Sequence, residues 1–130
     1  SRAAEALTLA LAYRPFDANA TLGKGLALFA AGQYAGSGSA LARAMELDSK
    51  TALKKVDLVR IAGGPDELIA RFNDLVQKTE ARPVPEQHFL LAYLYFQMGQ
   101  LEQARTAIEA ARTGSTSPAS AEILRTAINR

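Results

Sequence analysis

Two short stretches of this chain say nearly the same thing. LFAAGQY occupies residues 28–34 and LYFQMGQL residues 94–101, each an apolar run that ends at a Gly-Gln break. The likeness extends beyond the break. Gly25, Leu28, Gly32, Leu41 and Ala44 recur as Ala92, Tyr95, Gly99, Ile108 and Ala111, always at the offset that separates Gly32 from Gly99. Ala3, Leu7 and Ala10 in turn precede Ser37, Leu41 and Ala44 by 34. Half of the longer offset is close to the shorter one, so the chain uses a unit of about 34 residues. Such a period constrains the fold strongly. One unit cannot bury its apolar face alone, so consecutive units must pile against each other.

Each unit is expected to be a pair of antiparallel helices. Alanine and leucine dominate while β-branched residues are sparse, which favours helix over strand. Small residues such as Gly25, Ala44, Ala92 and Ala111 let two helices approach closely, and larger ones such as Leu28, Leu41, Tyr95 and Ile108 fill the gaps. The Gly-Gln break ends the first helix, because glycine adopts the left-handed cap conformation without steric cost. AGQY is thus a helix stop, a short turn and the first anchor of the returning helix.

This pattern resembles the tetratricopeptide repeat family. Its residues here are Gly25, Leu28, Gly32, Tyr34, Ser37, Leu41 and Ala44, and again Ala92, Tyr95, Gly99, Leu101, Ala104, Ile108 and Ala111. The proline usual at the end of such a repeat stands at Pro15 and, shifted, at Pro118, and is missing near Asp48–Ser49. The resemblance implies an all-α, right-handed α-solenoid of stacked αα-hairpins, about three repeats plus flanking helices, in one domain over 1–130. Residues 1–15 would be the second helix of a leading repeat, 18–48 a repeat, 50–79 a degenerate repeat, 85–113 a repeat and 117–130 a C-terminal capping helix. The equal alternative for the last segment is the first half of a further repeat.

The middle unit is the least regular. TALKKVDLVRIAGGPDELIARFNDLVQKT still gives helix, break, helix: Gly63-Gly64 stop the first, and Pro65 with Asp66 and Glu67 starts the second. Leu68, Phe72 and Leu75 share one face of that second helix, with Ile69 and Val76 beside them. Gly63 nevertheless falls 31 after Gly32 and 36 before Gly99. The unit is short at its front and lengthened by ARPVPEQ, so its hairpin is expected to tilt from its neighbours.

Chemistry finds little purchase. The absence of cysteine excludes disulfides, thiolate zinc sites and a cysteine nucleophile. His88 has Leu91 and Ala92 where a helical metal site would need partners. GKG at 23–25 and GSGS at 36–39 lack the spacing of a phosphate loop, and close helix packing is the better reason for Gly36 and Gly38. A net charge of +2, from 15 basic and 13 acidic residues, leaves no basic stripe for nucleic acid. No apolar run approaches the roughly 20 residues of a membrane span. The expectation is a non-enzymatic chain with no catalytic residue, cofactor or metal, no nucleic-acid partner and no integral membrane segment. The start at SRAAEA leaves compartment open, since an export signal upstream would be invisible here.

What remains is a surface. In stacked hairpins the first helix of each unit lines a concave groove, and its residues not used in packing are Leu22, Leu26 and Phe29 in one copy and Phe89, Tyr93 and Phe96 in the other. These six are expected to form an apolar, partly aromatic stripe that takes an apolar peptide or helix of a protein partner. Family members that grip a peptide's terminal carboxylate use Lys, Arg and Asn on this face; only Lys50, Lys54 and Arg60 stand near, and that clamp is not matched. Three alternatives stay open: burial of the stripe inside the chain, self-association of a segment of a larger multi-repeat protein into a homo-oligomer, and a helical domain holding a small hydrophobic ligand.

Overall fold

The computed structural model describes residues 3–4, 17–114 and 118–130. Its elements are α1 (Ala18–Ala30), α2 (Tyr34–Leu47), a 3-10 turn (Ser49–Leu53), α3 (Leu58–Ala62), α4 (Pro65–Ala81), α5 (Pro85–Gln97), α6 (Leu101–Gly114) and α7 (Pro118–Ile128). Among the described residues every regular element is helical, as the repeat pattern requires. The proposed leading-repeat helix over 1–15, with Pro15, lies mostly outside the described residues.

The breaks between helices share one geometry. Gly32 and Gly99 sit at φ 81° and 77°, in the left-handed region. Gly32 donates to the Phe29 carbonyl and Gln33 to the Leu28 carbonyl; Gly99 and Gln100 do the same to Phe96 and Tyr95. Gly63 and Gly64 repeat the pattern on Arg60 and Val59. This double closure satisfies the last carbonyls of each helix and turns the chain at once. Starts are equally local. Asp17 accepts from Ala20 N–H at 3.0 Å, and Pro65 and Pro85 open α4 and α5, where a missing N–H costs nothing.

Two hairpins form the centre of the molecule. In α1–α2, a Cβ on Gly25 would touch Leu41, and Ser37 Oγ, fully buried, donates to the Gly25 carbonyl at 2.6 Å. Small residues therefore do set the close approach. The second hairpin, α5–α6, buries Leu90, Leu94, Ala104, Ile108 and Ala111 in the same core. These hairpins pack directly on each other, α2 against α5. The closest point is Gly38, where any Cβ would collide with the backbone carbonyl of Glu86. Expectation and structure differ here: the units do not follow one another in chain order, because residues 49–81 stand beside the stack instead of inside it.

The reason is visible in the middle segment. TALKKVDLVRIA is not one helix. Asp48 caps the 3-10 turn through Lys50 N–H, residues 54–57 run outside any helix, and Asp57 caps the five-residue α3 through Arg60 N–H at 3.2 Å. Each Asp side chain offers the backbone a local partner and so breaks the helix that composition alone would continue. The segment lies against α1 through the 3-10 turn and α3. It is also tied to α5. Gln97 Nε2 donates to the Lys54 carbonyl at 2.8 Å, and Val56 N–H donates to Gln97 Oε1 at 3.2 Å. Lys54 also bonds to Asn19 on α1.

At the C-terminal end, α7 packs on α6, on α2 and on the 3-10 turn, so it bridges the two hairpins. It buries Ser120, Ala121, Leu124, Ala127 and Ile128. Its outer side is fastened by a charge network in which Glu109 meets Arg112 and Arg125 at 2.9 and 3.0 Å, and Glu122 meets Arg112 at 2.9 Å. Burial alone would raise the Glu109 carboxyl, but hydrogen bonds from Arg112 and Arg125 outweigh it and hold the group below its usual range.

Candidate partner-binding groove

The predicted stripe is core. Leu22, Leu26, Phe29, Phe89 and Tyr93 are each at most 7 % exposed, and Phe96 is half-buried against the same cluster. First helices of stacked repeats usually leave such a stripe open toward a concavity. Here residues 49–62 lie across that side, contributing Ala52 and Leu58 to the core and Val56 and Ile61 at its edge. Burial, one of the alternatives left open by the sequence, describes five of these six residues, and Phe96 alone keeps part of its ring exposed.

The same displacement of the middle unit creates a different concavity, which begins with how α4 is held. Tyr34, the aromatic that follows the first Gly-Gln break, reaches across to α4. Its hydroxyl donates to Asp74 Oδ2 at 2.5 Å, with the Arg71 carbonyl at 3.2 Å. Lys78 stands 5.3 Å from the centre of the Tyr34 ring and 3.3 Å from Asp74. Burial and the bond to Asp74 push the Tyr34 hydroxyl up to about 12, and the Tyr34 bond holds the Asp74 carboxyl below its ordinary range. Farther along, Phe72 meets Tyr95 edge-on at 5.2 Å. Thus α4 is tied to the first hairpin through Tyr34 and rests on the second through Phe72 and through Thr79, which accepts from Gln87 Nε2 at 3.4 Å.

Between α4 and the α5–α6 hairpin this leaves a groove of about 480 Å³. Its apolar surface comes from Val76, Leu91, Tyr95, Ala107 and Ala110, and its rim from Glu80, His88, Glu102, Gln103 and Thr106. Sequence periodicity puts Val76 beside the apolar face of α4 but assigns it no role. The other apolar groove residues fall on positions that the repeat pattern uses for packing or leaves between its markers. The signal is present in one respect: α4 carries more apolar side chains than its own contacts bury, with Ile69 59 % exposed.

His88 is half-buried at the rim, and desolvation lowers its pKa, so it is mostly neutral near pH 7. Among the described residues no three His, Cys, Asp or Glu side chains cluster as metal ligands would. No described helix is long and apolar enough to cross a membrane. Tyr93 presents the one buried side-chain polar atom without a partner among the described residues, its hydroxyl. Burial raises the pKa of that hydroxyl far above the usual tyrosine value.

Hairpins closed by Gly-Gln breaks, packed small-on-large and stacked second helix to first helix, define a class of helical-repeat protein. Residues 1–51 match the family model described as tetratricopeptide repeat, which makes this segment similar to that family. The second hairpin bears the same small and bulky positions, two strides further along the chain. No curated protein and no solved structure matches the chain. Tetratricopeptide repeats generally mediate protein–protein interaction and are typically non-enzymatic scaffolds.

Proposed function

We propose that this chain is a protein-binding module that takes an apolar segment of another protein in the groove between α4, α5 and α6. The observation that carries this reading is the groove itself: a concave surface of about 480 Å³ with an apolar floor and polar rim, left by a helix that leans on its neighbour without closing against it. Its size and lining suit an apolar anchor such as a leucine or aromatic side chain, with backbone and flanking residues on the rim. The groove replaces the buried Leu22–Phe96 stripe as the place of contact. It keeps the expected character of the ligand.

Selection of a random dodecapeptide library on the immobilised chain tests this. Ligands should be recovered that bind the wild type and lose binding on Ala110→Arg, which fills the groove from a half-exposed helical position. Recovery only of ligands indifferent to that change would defeat the groove. A second reading, self-assembly, is favoured by one observation. A hollow of about 460 Å³ at the outer edge of α7, lined by Leu53, Ile123 and Ala127, leaves Leu53 44 % exposed where a further helical unit would stack. Light scattering across concentration separates the two, because a chain that stays monomeric removes self-assembly.

A further inference from the structure

Resting on the protein-binding reading above, we infer that the segment taken by the groove has an apolar anchor with a Lys or Arg on each side. Two carboxylates rim the groove, Glu80 on α4 and Glu102 on α6, and no Lys or Arg lines it among the described residues. The chain as a whole carries a surplus of positive charge, so this acidity is local to the groove.

Both carboxylates are available. Glu80 is exposed and has no ion pair among the described residues. Glu102 pairs there only with Arg105 on its own helix and stays 87 % exposed. His88, neutral near pH 7, adds no opposing charge.

Their placement also sets a spacing. Gln87 faces Thr79 and Phe72 meets Tyr95, so α4 runs antiparallel to α5. The turn at Gly99 sends α6 back along α5 in the same way. Glu80 therefore lies level with the start of α5 and Glu102 with its end, on opposite walls. The separation along the groove is about 15 Å, from about ten residues of helical rise. Basic side chains that reach both carboxylates sit about ten residues apart in a helical ligand, or about four to five apart in an extended one. The apolar anchor falls between them, over Leu91 and Ala107.

Such pairs fix register and partner choice more than they add affinity. Removing one carboxylate should weaken a matched ligand about two- to fivefold at low salt, and less as salt rises. The peptide library separates this inference from the reading beneath it. Ligands that depend on Ala110 should be enriched in Lys or Arg on both sides of an apolar residue. Glu80→Gln and Glu102→Gln should each weaken them, and Glu80→Lys with Glu102→Lys should select acidic flanks instead. If ligands sensitive to Ala110→Arg show no basic enrichment and ignore both glutamate changes, the charge inference fails while the groove stands. If no ligand is sensitive to Ala110→Arg, both fall. Thermal melting followed by circular dichroism checks that each variant is folded.

Discussion

Gly36 and Gly38 lie two apart in one helix, and nothing in their sequence context separates them. The structure does. A Cβ on Gly36 would meet only Leu28 Cδ1, at an ordinary 3.6 Å, whereas a Cβ on Gly38 would strike backbone of α5. Backbone cannot swing aside as a side chain can. Gly38→Ala should therefore destabilise the fold by about 2–3 kcal/mol, as overpacking does. Gly36→Ala should stabilise it by about 0.5–1 kcal/mol through helix propensity. Urea denaturation of the two variants reads the difference, and equal effects would show that α2 does not touch α5 there. Tyr93 offers a second contrast. Its unpartnered hydroxyl costs roughly 1–3 kcal/mol in a buried site. Tyr93→Phe keeps the ring and should leave the protein as stable or more so in the same assay. A clear loss would reveal a partner for that oxygen.

At the scale of elements, local signals are legible in the sequence and coverings are not. The three glycine closures can be read because each is decided within a few neighbouring residues. The 3-10 turn and short α3 cannot, since TALKKVDLVRIA is helical in composition and only the Asp48 and Asp57 caps divert it. Burial of Leu22, Leu26 and Phe29 is illegible for another reason: it depends on a segment remote in sequence that lies over them. Gln97 is the pin of that segment. Gln97→Ala should speed amide exchange at Val56 about fivefold, the loss expected for one net hydrogen bond of about 1 kcal/mol. Unchanged exchange would mean that the segment is held elsewhere. The docking of α4 should depend on pH in a defined direction. Tyr34 is raised from 10 to about 12, so its contribution is fully present below pH 10 and is lost as pH rises through 12. Asp74 is lowered, so its contribution is present above the ordinary carboxylate range and is lost as pH falls through the depressed pKa. Wild type should accordingly exceed Tyr34→Phe in stability near neutrality, and the gap should narrow above pH 10. A gap that widens with rising pH would contradict the bond to Asp74.

For the whole molecule, one rule decides most of the outcome. Small and bulky residues recurring at a fixed stride close each hairpin on itself, and that much is written in Gly25, Leu41, Ala92 and Ile108. The order of stacking is not, because the stride says which surfaces match and not which copies meet. The two well-matched copies find each other across the intervening unit and leave that degenerate unit outside. The groove between α4 and the second hairpin is the consequence of that choice, and so is its acidic rim. The contact to examine is therefore the one between Gly38 and Glu86. Proton NMR should show a strong through-space cross-peak between their α-protons. A Gly38 that instead sees protons of Leu58–Ala62, as strict chain-order stacking would place them, would contradict the account.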